Sequence, residues 1–399
     1  MKKIVSVIGL GYIGLPTASL LANNGYLVKG CDKNPDIVNS VNKGKCHIVE
    51  PDLDDNVSKA VHSGNLIAYE NPQAADVHII CVPTPFDDSS EIPSPNIEYV
   101  LSAAKSIINL IKKDDCIILE STSPVGTTNN IKILFEGAGL DINSINIAYC
   151  PERVLPGNIM NELVDNDRII GGIDDKSSKA ISAFYSSFVK GDIYTTDDKT
   201  AEMCKLTENS FRDVNIAFAN QLSIICDKEN IDVNELINLA NKHPRVDILN
   251  PGIGVGGHCI PVDPWFIVSK DPKNSELLRV SRQVNMSKTD WVFNKIIDEI
   301  NQFKLKNSFI PKIACLGLAY KPNIDDLRCS PALEIVDLLF KEGIDPIIVE
   351  PNISAHEKYK IHSLKDAAEI ADLFFILVGH DEFSMMNEEN TFDFSGLKK

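Results

Sequence analysis

Residues 3–32 constrain the fold more than any other stretch. Lys3-Ile-Val-Ser-Val-Ile8 is a short β-rich run, and Gly9-Leu-Gly11-Tyr12-Ile13-Gly14 follows at once. A helix-like stretch covers about 16–24, and Tyr26-Leu-Val-Lys-Gly-Cys31 then leads to Asp32. Alone, Gly-x-Gly-x-x-Gly is weak evidence. Set between a strand and a helix, with an acid ending the next strand, it has the spacing of a dinucleotide-binding βαβ unit. Gly9, Gly11 and Gly14 bring backbone N–H groups and a helix N-terminus to a pyrophosphate. Asp32 suits a ribose diol and repels a 2′-phosphate, so NAD rather than NADP is expected. The competing reading is a glycine turn followed by a solvated acid.

Apolar runs recur at Asp76–Val82, Cys116–Glu120 and Asn146–Cys150, separated by helix-length segments. That alternation predicts a parallel, doubly wound sheet with ligands beyond the C-terminal strand ends. Thr84, Thr122 and Glu152 follow these runs and fall on the same edge as the glycine loop. For the threonines, turn chemistry is the plainer reading. An acid at that edge has uses beyond a turn.

A chain of 399 residues and net charge −17 is long enough for two or three domains. The acidic balance argues against nucleic acid or an anionic membrane as the main partner. No apolar run reaches the roughly 20 residues of a membrane span. Ten cysteines without framework spacing read as reduced thiols, and a cytoplasmic location is expected.

Residues 201–226 contain no Gly or Pro and predict a long helix. Lys205, Asn209 and Arg212 share one face, with Met203, Leu206, Val214, Ala217, Phe218 and Ile225 on the other. Two readings of the polar row stay open: a solvated face, or donors for a sugar oxygen and a phosphate. Asn241-Lys-His243-Pro-Arg245 leads on to Gly254-Val-Gly256-Gly257-His-Cys259-Ile-Pro-Val-Asp263. Glycines there let the backbone approach a ligand and present one thiol. The loop is either a tight turn with an inert cysteine or a nucleophile held as thiolate by dipoles and cations. No Cys-x-x-Cys or spaced His pair accompanies it, so no metal is expected. A further helix, about 276–302, precedes a linker near Lys304–Pro311. The α/β rhythm then restarts at Lys312–Gly317, Ile347–Glu350 and Leu373–Val378 without a second Gly-x-Gly-x-x-Gly. Its first strand runs into Tyr320-Lys321-Pro-Asn-Ile-Asp-Asp-Leu-Arg328, where Lys321 and Arg328 suit a second nucleotide.

In order, the N-terminal glycine loop, Thr122–Gly126, Glu152, Lys205-x-x-x-Asn209, Gly256-Gly-x-Cys259-x-x-x-Asp263 and Lys321…Arg328 resemble the UDP-glucose/GDP-mannose dehydrogenases over nearly the whole chain. The fold this implies is α/β: two Rossmann-like doubly wound parallel-sheet domains, joined by a long central helix and a helical middle domain. The expected spans are 1–185 for NAD, 195–302 for the helical, dimer-forming part with the cysteine loop, and 311–399 for the UDP-sugar. The resemblance implies that Tyr12, Ile13, Asp32, Thr84, Thr122 and Arg328 contact NAD. It assigns Arg153, Val154, Lys205, Asn209, Arg212, His243, Arg245, Gly256, Tyr320 and Lys321 to the UDP-sugar, with Arg245 reaching a partner subunit in a homodimer or larger homo-oligomer. The catalytic set implied is Cys259, Lys205, Asp263, Asn209 and Glu152. In it a Lys205–water–Asp263 relay takes the C6 hydroxyl proton, Cys259 forms a thiohemiacetal and then a thioester, and Glu152 directs the hydrolytic water. Within the family, His47–Asp52, Ala148–Gly157, the 201–222 helix and His243-Pro-Arg245-Val246 imply UDP-N-acetyl-D-mannosamine as the sugar nucleotide. Cys329 departs from the family pattern, in which many relatives have Glu. Two other classes compete: a two-electron β-hydroxyacid-type dehydrogenase, and a non-catalytic NAD and UDP-sugar sensor.

Overall fold

The computed structural model describes residues 3–87, 89–90, 92–386 and 390–397. The chain divides into two compact units, Met1–Thr207 and Glu208–Lys399.

In the first unit the strands are β1 (Ile4–Ile8), β2 (Leu27–Cys31), β3 (Leu66–Tyr69), β4 (Val77–Ile80), the short pair β5 (Phe86–Asp87) and β6 (Ser94–Pro95), β7 (Cys116–Leu119), β8 (Asn146–Tyr149), β9 (Arg168–Gly172) and β10 (Ile193–Asp197). The helices are α1 (Gly14–Asn23), α2 (Pro35–Asn42), α3 (Leu53–His62), α4 (Glu98–Ile107), α5 (Thr127–Gly137), α6 (Ile159–Asp165), α7 (Asp175–Tyr185) and the start of α8 (Asp198–Glu229). Among the described residues they form an eight-stranded sheet in the order β10-β9-β8-β7-β4-β1-β2-β3. Its inner strands β4, β7 and β8 are buried along their whole length and mostly apolar because helices cover both faces. Val5, Val7, Val77 and Ile79 enter one core with α1, while Ile80, Ile117 and Leu119 enter another with α4 and α5. Local chemistry sets the helix starts: Asn34 Oδ1 accepts from Asp36 N at 2.9 Å, with Pro35 opening α2.

One feature departs from the expected parallel sheet: β9 runs antiparallel to β8. The edge strand β10, parallel to β9, lies past residue 185. β10 is exposed along much of its length, so it carries no apolar run by which to recognise it.

His78 lies fully buried in β4, beside Ser6 of β1. Burial pushes its imidazole down from 6.5 to about 4. Between those values the unfolded chain holds a proton that the folded chain excludes. Stability is therefore unpenalised above pH 6.5 and falls as pH drops toward 4, by up to about 3 kcal/mol. His78→Phe is expected to flatten this part of the acid limb. Denaturation midpoints at pH 7.5 and 4.5 check it: an equal acid loss in variant and wild type would exclude His78 as a source.

The second unit holds the rest of α8, then α9 (Val233–Ala240), α10 (Asp263–Lys270) and α11 (Glu276–Asn307). Its α/β part has β11 (Ile313–Leu316), α12 (Pro331–Lys341), β12 (Ile347–Val349), β13 (Ile361–His362), α13 (Leu364–Ile370), β14 (Leu373–Ile376) and β15 (Thr391–Asp393). The sheet order is β13-β12-β11-β14-β15, with every pair parallel. The architecture is thus α/β with largely parallel sheets at both ends and a helical middle.

Both long helices exceed their expected lengths. α11 continues to Asn307, so the linker starts later than Lys304; nothing in the sequence breaks the helix before Ser308, which ends it with a φ of 62°. On α8 the apolar side is split. Leu206 and Ala217 are buried, whereas Met203, Phe218 and Ile225 are exposed, as is Phe211.

Candidate nucleotide and cysteine sites

In the first unit, β1 sends the chain to β2 and β3 on one side and pairs with β4 on the other. The crevice at such a reversal is where open α/β sheets bind ligands. Three glycines do separate jobs there. Gly9 has a φ of +93°, and a Cβ on it would lie 2.5 Å from the Cys81 carbonyl oxygen. A Cβ on Gly14 would lie 1.8 Å from the Gly9 carbonyl oxygen, so it lets α1 pack on the turn. Beside Gly11 there is nothing within 4 Å, which leaves the open approach a pyrophosphate needs. Tyr12 is exposed and Ile13 caps α1.

Asp32 follows β2 and is half-exposed. Its Oδ2 accepts from Leu10 N and its Oδ1 from Asn34 N, each at 2.9 Å. Each oxygen keeps acceptor capacity for a ribose diol. Thr84 Oγ1 donates to the Thr122 carbonyl oxygen at 2.6 Å, joining the turns after β4 and β7. The residues present therefore fit NAD.

Glu152, after β8, is buried. Arg168 Nη1 of β9 donates to its Oε2 at 3.2 Å, and Arg153 N donates to its Oε1 at 2.5 Å. Both oxygens are thereby held in one orientation. Behind it, Tyr185 Oη donates to Glu120 Oε1 at 2.5 Å and Cys81 Sγ to Glu120 Oε2 at 3.3 Å. Burial pushes the Glu120 carboxyl up, against the pull of Arg168. Burial also pushes the Cys150 thiol up to about 12, so this cysteine is inert. Arg153 Nη1 donates to the Asp167 carbonyl oxygen at 3.2 Å, and Val154 packs against the core beside α1.

In the second unit, the Cys259 carbonyl oxygen accepts from Val262 N at 3.0 Å and Asp263 N at 2.8 Å. The half-buried cysteine thus sits on a closed turn entering α10. Asp263, buried at the first position of α10, accepts from Asn209 Nδ2 of α8 at 2.5 Å. Those two expected catalytic residues are directly joined. Lys205 lies one turn earlier on α8, half-buried.

The loop glycines pack closely on the segment around Tyr320. A Cβ on Gly256 would lie 2.6 Å from Tyr320 Cβ and 2.7 Å from the Cys329 carbonyl oxygen, and one on Gly257 2.9 Å from the Tyr320 ring. Their small size therefore serves close packing on the protein's own loop. Gly257 N also donates to the Arg328 carbonyl oxygen at 3.0 Å. Arg328 turns its guanidinium onto Asp326, with Nη2 2.6 Å from Oδ2, while Lys321 is half-buried. Arg212, His243 and Arg245 are exposed. The turn bearing His243 and Arg245 is clipped to α8 through Asn215, whose Nδ2 donates to the Asp247 carbonyl oxygen at 2.8 Å and whose Oδ1 accepts from Leu249 N at 3.0 Å.

Several supporting residues escaped sequence reasoning. Glu50 accepts from Gly157 N at 2.9 Å and Ile159 N at 2.8 Å, tying the segment after α2 to the Glu152 loop. Glu202 accepts from Gly126 N at 2.5 Å and Thr128 N at 2.8 Å, capping α5 from α8. Burial lowers the His47 imidazole, opposed by Asp32 and the Leu10 carbonyl, which places it beside the dinucleotide turn. His47 and Glu50 lie in a motif that carries the resemblance, which was a signal; Glu202 and Arg168 had none.

These features define an NAD-linked α/β dehydrogenase. Sequence models of the UDP-glucose/GDP-mannose dehydrogenase family match residues 3–189 (NAD binding domain), 199–287 (central domain) and 314–397 (UDP binding domain). The UDP-N-acetyl-D-mannosamine dehydrogenase of Yersinia pestis is 50% identical over 406 residues, covering 97% of this chain and 96% of the relative. The NDP-N-acetyl-D-galactosaminuronic acid dehydrogenase of Ralstonia nicotianae is 46% identical over 401 residues, covering 97% and 93%. Among solved structures, the UDP-D-ManNAc dehydrogenase of Pyrococcus horikoshii superposes with a TM-score of 0.90 at 36% identity, covering 99% and 96%. The chain belongs to the UDP-glucose/GDP-mannose dehydrogenase family and is an NAD-dependent UDP-sugar dehydrogenase. Among the described residues no helix is long and apolar enough to cross a membrane.

Proposed function

We propose that this enzyme oxidises the C6 alcohol of UDP-N-acetyl-D-mannosamine to UDP-N-acetyl-D-mannosaminuronate, with four electrons removed through a Cys259 thioester, for surface polysaccharide synthesis. The observation that carries the covalent route is the Cys259 turn, held by its own backbone, with the Asn209–Asp263 pair beside the start of the next helix. Bound at Gly9, Gly11, Gly14 and Asp32, NAD⁺ supplies the hydride acceptor for each two-electron step. A Lys205–water–Asp263 relay removes the C6 hydroxyl proton as the alcohol becomes an aldehyde. The Cys259 thiolate adds to the aldehyde carbon to give a thiohemiacetal, which loses a second hydride and becomes a thioester. Lys205 and Asn209 stabilise the oxyanions, the kind of donor whose loss costs about 10²–10³ in rate. Water, positioned by the Arg168-held Glu152 carboxylate, attacks the thioester; its oxygen enters the uronate and the thiolate leaves.

The acetamido sugar is supported by the relatives at 46–50% identity, whose names carry N-acetylated sugars. Arg212, His243 and Arg245 add donors for the acetamido carbonyl and the diphosphate. A site built to pair such groups rejects substrates that leave its donors unpaired. UDP-glucose, which lacks the acetamido group, is accordingly expected to be a poor substrate. The expected faster turnover of UDP-N-acetyl-D-mannosamine than of UDP-N-acetylglucosamine or UDP-N-acetylgalactosamine rests on the similarity to the relatives, and two NADH are expected per sugar. Following NADH with each UDP-sugar, with mass spectrometry of the product, tests both statements. Faster turnover of another sugar would overturn the assignment of the epimer. One NADH per sugar would instead favour two-electron chemistry, and none a sensor.

The working form we propose is a cytoplasmic homodimer or larger homo-oligomer. Phe211, Phe218 and Ile225 recur every seven residues along α8 and are 69%, 52% and 52% exposed. Covering that stripe with a second copy removes its apolar area from water. Sedimentation equilibrium should give at least twice the 44.0 kDa chain mass; a monomer at micromolar concentration would refute it.

A further inference from the structure

Each α/β unit places an acid just after its second strand, and the two acids have opposite surroundings. Gly9 N donates to the Cys31 carbonyl oxygen and Gly317 N to the Val349 carbonyl oxygen, both at 2.8 Å, and both glycines have a φ of +93°. The turns are thus alike. Asp32 stays half-exposed after the first. Glu350, after β12, is buried, and its Oε2 accepts from Leu318 N at 2.7 Å and Ala319 N at 3.0 Å. Its Oε1 accepts from Asn352 N at 3.0 Å.

His380, also buried, closes the remaining side, with Nε2 3.0 Å from Glu350 Oε2. Its Nδ1 accepts from Asn323 N at 2.9 Å. A backbone N–H can only donate, so Nδ1 is bare and Nε2 carries the hydrogen that Glu350 accepts. Burial pushes the Glu350 carboxyl up, but the bonds from His380, Leu318, Asn352 and Ala319 outweigh it and hold the group at about 2. The clamp is reciprocal, because Asp381 N donates to Asn323 Oδ1 at 3.0 Å. Asn323 itself sits at a φ of +61°, a conformation that needs such support.

From Asn323 the contacts run on into the nucleotide loop. Tyr320 N donates to the Asp326 carbonyl oxygen at 3.1 Å, Asp326 holds Arg328, and the Arg328 carbonyl oxygen accepts from Gly257 N. We propose that Glu350 and His380 are positioning residues of the nucleotide-sugar site: they fix the loop Leu318–Arg328, aim Tyr320 and Lys321 at the UDP group, and seat the Gly256–Gly257 turn before Cys259. An acid position that serves a dinucleotide ribose in the first unit becomes an internal brace in the second. The inference rests on the UDP-sugar reading above.

His380 Nδ1 also accepts from Asn352 Nδ2 at 3.0 Å, and three variants separate the contacts at Nδ1 from the one at Nε2. His380→Phe keeps an aromatic ring to pack edge-on against Phe383, whose centroid lies 5.5 Å away, and loses the contacts at both ring nitrogens. His380→Asn keeps an acceptor near Nδ1, and His380→Gln keeps a donor near Nε2. UDP affinity is measured by calorimetry without cofactor, beside KM for the UDP-sugar and the denaturation midpoint. The Phe and Gln variants should bind UDP about tenfold more weakly, with KM rising in parallel, because the Asn323 N–H loses its acceptor. The Asn variant should recover to within about threefold of wild type. Wild-type UDP binding in all three variants, or equal recovery by Gln and Asn, would overturn the proposal. If the Phe variant does not fold, the Asn and Gln pair decides. A wild-type protein that fails to bind UDP would sink the underlying reading instead.

Discussion

Cys259→Ser is expected to abolish net turnover and leave the fold unchanged. The loop is held by backbone groups, the Cys259 carbonyl accepting from Val262 N and Asp263 N and Gly257 N donating to the Arg328 carbonyl. Exchanging sulfur for oxygen touches none of these bonds. Chemically the exchange removes what the route needs. A serine hydroxyl is a weak nucleophile without an adjacent base, and an alkoxide is a poor leaving group when water attacks the acyl intermediate. Uronate formation should fall at least about 10³-fold, as when an enzyme loses its nucleophile. Aldehyde or an enzyme-bound adduct should be trapped by a carbonyl reagent and detected by intact-protein mass spectrometry. Near wild-type uronate production by a folded Cys259→Ser protein would dismiss the covalent mechanism.

Arg282→Met should be among the most destabilising single changes in the second unit. Arg282 of α11 donates from Nη1 to Asp213 Oδ1 of α8 at 2.6 Å, and Asn285 Nδ2 reaches the same oxygen at 2.8 Å. Both ion-pair partners are buried. Burial pushes the Asp213 carboxyl up, and Arg282 is the cation that opposes this. Removing the guanidinium leaves a buried carboxylate uncompensated, a loss that typically costs about 3–5 kcal/mol. Replacing both partners, Asp213→Leu with Arg282→Met, should cost much less, because no buried charge remains. Urea midpoints of the single and paired variants test this. A paired variant as unstable as the single one would show that packing, not charge, dominates at this contact.

The same contrast marks how far the sequence could be read. Apolar runs between helix-length segments announced β1, β4, β7, β8, β11, β12 and β14, because parallel strands covered on both faces are predominantly apolar. The exposed edge strand β10 has no such pattern and passed unseen. The absence of Gly and Pro from 201–226 announced α8, yet not which of its apolar residues are covered: Leu206 is buried and Phe211 exposed. Helical periodicity defines a face but not what packs against it.

At the candidate sites, residue type and spacing were enough to single out the dinucleotide turn, Asp32, and the Cys259 loop. Those signals are local: a turn needing glycine, an acid ending a strand, a thiol among small residues. Tertiary structure alone decided what holds them. Arg168 on Glu152, Glu202 on Gly126, Glu50 on Gly157 and His380 on Asn323 join residues 16 to 107 positions apart. Such pairs leave no period or motif in one sequence, since any arginine or glutamate of suitable reach would read the same. The chain's local chemistry determines the elements and their turns. Which distant side chains meet is settled only when the packed sheets bring them within hydrogen-bond distance, where an unpaired buried polar group is too costly to keep.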